Sequence, residues 1–148
     1  MKIYIDQSGK VEYTSQSTVV AFSNGKTKTL VIKAVDKRYI QNYFRLAGKP
    51  DIFTYKTFAV LIFLLVKDDL EKISCLVIDI EYPGKNDLIK NFLIELLKKN
   101  GVNMGKIEVN FLLVGKHVDC HIQALTVHRG HAKPDKVVKT EDIIKWLI

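Results

Sequence analysis

Three observations predict an α/β fold for this chain. A hairpin-forming β segment opens it, a continuous apolar strand lies near the middle, and helices with apolar residues spaced three and four apart separate the later strands. The predicted order is β-β-β-α-β-α-β-α. It gives one mixed five-stranded sheet, antiparallel over its first three strands and continued by a βαβαβ half, with helices on both faces. The 148 residues fit a single domain spanning 1–148.

Each element has a local cause. Residues 2–5 are a β-branched and aromatic run, read as the first strand. Residues 18–23 and 27–33 flank Asn24-Gly25, a pair that favours a type I′ turn and so predicts an antiparallel hairpin. Residues 36–46 suit a short helix ended by Gly48 and Pro50, and 54–72 a long one. The long helix is apolar nearly all round at 58–66, so it is expected to be covered on several sides. Residues 74–82 form a continuous apolar strand with acids arriving at its end, as suits a central strand buried on both faces. In 86–99, Leu88, Ile89, Phe92, Leu93, Leu96 and Leu97 trace one helical face, closed by Lys98-Lys99-Asn100-Gly101. Strand 107–114, helix 117–128, a loop at 133–135 and a helix 141–147 capped by Thr140 complete the chain.

Composition narrows the class. Lysine and arginine total 23 against 16 acids, a net charge of +7, which excludes an acidic calcium-buffer type and favours a polyanionic partner. Two cysteines, Cys75 and Cys120, are too few for a disulfide framework or a four-cysteine zinc site, and both sit in apolar surroundings. The stretch 58–66 is too short to span a bilayer, and the first residues lack a signal-peptide layout. The expectation is a reducing, cytoplasmic setting without membrane contact.

The acids carry the chemistry. Asp6 ends the first strand ahead of Gly9. Asp79 and Glu81 lie two apart in the fourth strand and so share a face. If those two strands are parallel neighbours, Asp6 and Glu81 converge at one sheet edge. Carboxylates in that position repel one another unless a cation lies between them, and hard divalent ions such as Mg²⁺ or Mn²⁺ take oxygen ligands. Two such ions activate water and stabilise the leaving oxygen in phosphodiester cleavage. The rival reading is that strand-end carboxylates cap turns or pair with lysines. It applies evenly to Asp6 and more strongly to Asp79, which lies deeper in its strand.

Tyr4-Ile5-Asp6-Gln7-Ser8-Gly9-Lys10, with the element order, resembles the RNase H-like superfamily, whose members open on a strand bearing an Asp. Val77-Ile78-Asp79-Ile80-Glu81-Tyr82 resembles the apolar strand ending in Glu of the RuvC-type Holliday junction resolvases. Gly115-Lys116-His117-Val118-Asp119-Cys120-His121-Ile122-Gln123-Ala124-Leu125 resembles the start of their last conserved helix. The resemblance implies an RNase H-like fold and a metal-dependent nuclease acting on branched DNA, with RNA–DNA hybrid as the competing substrate, and a homodimer. It implies Asp6 and Glu81 as catalytic metal ligands, with Asp119 or His121 the ligand from the last helix. Beside them, Lys116 or His117 is the group expected to stabilise charge or shuttle a proton. In this chain Asp119 and His121 point about 160° apart on a helical wheel, from a turn of roughly 100° per residue. His121 borders the apolar stripe, while Asp119 suits the helix N-terminus.

Other residues keep two readings. His117, His121 and His128 form a stripe with Ala124 that binds zinc or lines a groove. His128-Arg129-Gly130-His131-Ala132-Lys133 contacts phosphates or is a solvated loop. Gly84-Lys85-Asn86-Asp87 opens a helix that suits an anion, without Walker-type spacing. Two further functions compete with the nuclease: a non-catalytic binding module on the same fold, and a small ATP-binding domain of the actin-like branch. The nuclease reading requires the Asp6 and Glu81 carboxylates to approach within about 5 Å. It also requires a negative centre on a positive surface.

Overall fold

A computed structural model describes residues 1–115 and 118–147. Its strands are β1 (Lys2–Ser8), β2 (Thr18–Ser23), β3 (Thr27–Ile32), β4 (Cys75–Asp79), β5 (Glu108–Leu112) and β6 (Lys136–Val138). Its helices are α1 (Ala34–Leu46), α2 (Phe53–Val66), α3 (Asn86–Lys99), α4 (Asp119–His128) and α5 (Thr140–Leu147). The strands form one mixed sheet in the order β5-β4-β1-β2-β3-β6. β1, β2 and β3 are antiparallel, whereas β4 runs parallel to β1 and to β5.

The sheet has six strands rather than the predicted five. β6 pairs parallel to β3 at the far edge, with Val31 opposite Val137. Three residues are too few to show alternation, and the pairing depends on a distant side chain. Asp135 accepts from Thr29 N–H at 2.9 Å and returns its own N–H to Thr29 Oγ1 at 3.0 Å, which lays the following residues along β3. The hairpin β2–β3 forms, but not as a type I′ turn. Ser23 pairs with Thr27, so the loop has three residues, and Gly25 has a φ of 95° while Asn24 keeps a negative one. The helix predicted over 54–72 ends at Val66 and continues as a 3₁₀ stretch, Lys67–Lys72, where Lys-Asp-Asp-Leu-Glu-Lys offers no apolar face to bury.

The two faces of the sheet are unequally covered. On one, α2 packs over β2 and β3 and against α3, with α1 and α5 alongside, in a core that includes Ile3, Ile5, Leu30, Ile32, Leu76, Ile78 and every residue of 58–66. Each large apolar side chain fully buried there contributes about 1.5–3 kcal/mol. On the other, α4 alone lies over β1, β2 and β3 on a small cluster of Val19, Ala21, Val31, Cys120, Ala124 and Val127. Polar ties reinforce it: Cys120 N–H donates to Ser23 Oγ at 3.1 Å, and Ser8 Oγ bonds His128 Nδ1 at 2.8 Å. The β1–β2 loop is held from beneath by Lys37 of α1. This fully buried ammonium donates to Tyr13 O at 2.7 Å, Thr18 Oγ1 at 3.0 Å and Lys10 O at 3.2 Å. Among the described residues no helix is long and apolar enough to cross a membrane.

Candidate metal centre

In the parallel pairing of β1 with β4, Ile5 stands opposite Ile78. The next residue of each strand is an aspartate, so Asp6 and Asp79 arrive as neighbours at the same end and on the same face of the sheet. β4 stops at Asp79 instead of running to 82 as predicted. Ile80 N–H still bonds Leu112 O at 3.0 Å, and the chain then turns toward Pro83-Gly84. Glu81 therefore reaches the acids from a turn and not from the strand. Tyr82 fixes that turn. Its buried hydroxyl accepts from Val11 N–H and from Gln7 Nε2, each at 3.2 Å, and its ring stands edge-on to Tyr55 and Phe58.

The result is a cluster in which one carboxylate oxygen from each of Asp6, Asp79 and Glu81 lies within 4.8 Å of the others. Among the described residues these three are the one group of this kind. Asp6 is buried and fully engaged. Its Oδ1 accepts from Gln7 N–H at 2.7 Å and its Oδ2 from His121 Nδ1 at 2.6 Å. That bond places a proton on Nδ1 of His121. Asp79 accepts from Val114 N–H at 2.8 Å, which ties the segment after β5 to the centre. Burial, then hydrogen bonding toward Asp6 and Asp79 and repulsion from their charges, push the Glu81 carboxyl up from 4.5 to about 9. Without a cation the cluster thus retains a proton at neutral pH.

These features fit a divalent metal. Three carboxylates are hard oxygen donors, and the raised Glu81 is the response of such a group when no positive charge faces it. Three oxygens on one octahedral ion of Mg²⁺ size lie about 3.0 Å apart where adjacent and about 4.2 Å apart where opposite, so the three carboxylates would have to close inward to share one. Two ammonium groups stack on the aromatic rings around the turn at Tyr82, Lys10 at 5.8 Å over the Tyr82 ring and Lys85 at 5.4 Å over the Tyr55 ring.

Of the residues expected from the sequence, the structure brings together Asp6 and Glu81 and sets His121 against Asp6. Asp119 stays apart. It opens α4, exposed to solvent, where its charge faces the positive end of the helix. Asp79, given a structural role from the sequence, is a member of the cluster. Its depth in the strand is what aligns it with Asp6, a registration that the sequence alone does not contain. His121 and His128 are engaged by Asp6 and Ser8 of β1, not by each other. Lys116 and His117 lie outside the described residues. Arg129 and His131 join His121 around a cleft of about 300 Å³ on α4, which touches the centre only through His121. The chain was compared with family models, with curated proteins and with solved structures, and none of the three comparisons gave a match.

Proposed function

We propose that this chain is a metal-dependent nuclease of RNase H-like fold, nearest in pattern to the RuvC-type resolvases. The observation that carries the reading is the convergence of Asp6, Asp79 and Glu81 within 4.8 Å at the shared end of two parallel strands. The strand order supports it. An antiparallel β1-β2-β3 joined through β1 to parallel β4 and β5 is the arrangement the resemblance implies, with β6 an addition.

Asp6, Asp79 and Glu81 would hold Mg²⁺ or Mn²⁺, which supplies a charge that activates water and stabilises the oxygen leaving phosphorus. The chain's own groups do the rest. His121 holds the Asp6 carboxylate in one orientation, as partners of ligating groups do. Arg129 and His131, on the rim beside His121, face the backbone of a polyanion, and the surplus of 23 cations over 16 acids makes its affinity salt-dependent. Branched DNA is the substrate proposed and RNA–DNA hybrid its competitor. The two free, buried thiols go with a cytoplasmic setting.

The test is cleavage of four-way junction, duplex and hybrid substrates with Mn²⁺, using Asp6→Asn as the control. Cleavage of one substrate class by the native chain, lost in the variant, is expected. No cleavage of any substrate, or equal cleavage by the variant, overturns the reading.

A further inference from the structure

The face of β1 that meets α4 makes two side-chain pairs. Asp6 and Ser8 lie two apart in the strand and so point the same way. His121 and His128 lie seven apart in α4, close to two helical turns, and so share its side toward β1. Asp6 takes His121, within the carboxylate centre. Ser8 takes His128, which that centre does not use, with Oγ 2.8 Å from Nδ1. Gly9 makes room for this ring: a Cβ there would stand 2.7 Å from His128 Cε1 and 2.9 Å from Nε2. Burial, then the charges of Lys37 and Arg129, hold the imidazole below its usual 6.5. At neutral pH the ring is therefore uncharged, and with its proton on Nε2 it accepts from the Ser8 hydroxyl at Nδ1. Both residues are half-buried and line a cleft of about 460 Å³. Lys10 and Arg129 bring two cations to that lining, Tyr13 and Leu125 bring apolar surface, and among the described residues it includes no acid.

We propose that Ser8 and His128 are a nucleophile and its base, and that this cleft hydrolyses carboxylic esters carrying a negative charge. The pair lies within the hydrogen-bond reach that such a nucleophile needs. Ser8 Oγ attacks the ester carbonyl carbon while its proton passes to His128 Nδ1. The tetrahedral centre then collapses, the alcohol leaves with that proton, and the acyl group stays on Ser8. Water attacks the acyl carbon in turn, giving its proton to Nδ1, and the carboxylic acid departs as Ser8 Oγ regains a proton. The two cations of the lining select the substrate: Arg129 and Lys10 attract an anionic group while Tyr13 and Leu125 cover the rest of the acyl chain. Gly9 and the packing of α4 hold the ring in place, so the base is positioned before substrate enters.

This activity stands apart from the nuclease reading and is tested in EDTA, which keeps metal from the carboxylate centre. The first probe is diisopropyl fluorophosphate, which modifies a serine that a neighbouring base activates. One adduct per native chain is expected, mapped to Ser8 by peptide mass, and none in Ser8→Ala. His128→Asn keeps a polar atom near the place of Nδ1 but takes no proton. Its labelling rate should fall roughly 100-fold, the lower end of what a positioned base contributes, with circular dichroism unchanged. The second probe is a pair of esters: 4-nitrophenyl hemisuccinate should be hydrolysed faster than 4-nitrophenyl acetate, and Arg129→Gln should remove that preference. A native chain that takes no adduct, an adduct on another residue, or labelling as fast in His128→Asn overturns the proposal and leaves the Ser8–His128 bond as a packing contact only. Equal rates for the two esters overturn the assignment of an anionic substrate.

Discussion

Replacing Glu81 with glutamine isolates the electrostatic cost of the carboxylate cluster. In the metal-free chain the Glu81 carboxyl is pushed up from 4.5 to about 9. The folded state therefore keeps a proton that the unfolded chain releases as pH rises through 4.5. Stability from this group is highest below 4.5, falls as pH rises, and levels off above 9. At about 1.4 kcal/mol per pH unit, the interval from 4.5 to neutrality costs about 3 kcal/mol at pH 7. Residual contact of Glu81 with water trims this to about 2 kcal/mol. Glutamine keeps the shape and a hydrogen-bond donor toward Asp6 and Asp79 but cannot ionise. Glu81→Gln is thus expected to be more stable than the native chain at pH 7 in EDTA, with a gain in Tm of roughly 4–8 °C for about 2 kcal/mol in a chain of this size. The gap should close at pH 4. Mn²⁺ should reverse the order, because it stabilises the ionised cluster and the neutral amide of the variant withholds a charged ligand. The assay is thermal unfolding of both proteins from pH 4 to 9, in EDTA and in Mn²⁺. A native chain as stable as Glu81→Gln in EDTA at pH 7, or a gap that persists unchanged at pH 4, would refute the assignment of repulsion to this cluster.

Two further outcomes follow from named contacts. His121→Ala leaves Asp6 Oδ2 without its 2.6 Å partner, and Mn²⁺ affinity by calorimetry should drop about 10- to 100-fold; unchanged affinity removes His121 from the centre. Gly9→Ala should lose at least about 2 kcal/mol in urea unfolding, because Gly9 has a φ of 76° and an added Cβ would lie 2.4 Å from Ser17 O and 2.7 Å from His128 Cε1; a loss under about 0.5 kcal/mol contradicts the described turn.

What the sequence made legible was local. Asn24-Gly25 between β-prone runs marks the hairpin, although the turn chemistry resolves as a three-residue loop. The face traced by Ile89, Leu93, Leu96 and Leu97 is the buried face of α3. β6 is too short for a pattern and depends on Asp135 meeting Thr29, 106 residues away. The carboxylate cluster was half legible: Asp6 and the acids at 79 and 81 could be named, but their grouping depends on the registration of Ile5 with Ile78 and on the turn that Tyr82 anchors. Asp119 and His121 could not be separated by helical spacing alone. What separates them is where α4 lies over β1, which is decided by Ser8, Ser23 and the small residues Ala21 and Ala124.

The unequal covering of the two faces has a consequence for how the molecule breathes. Local opening draws on the region with the fewest buried apolar contacts. The smaller of the two cores is that of α4, whose Cys120, Ala124 and Val127 rest on Val19, Ala21 and Val31 with a few polar ties, while the other face of the sheet is backed by the helix whose residues 58–66 are all buried. Amide protons of β1 and β4 should thus exchange through global unfolding and those of α4 through a smaller, faster opening. Asp6 and Asp79 then ride on the slowest unit of the chain and His121 on a quicker one. The histidine can leave Asp6 and return while the two strand carboxylates hold their places.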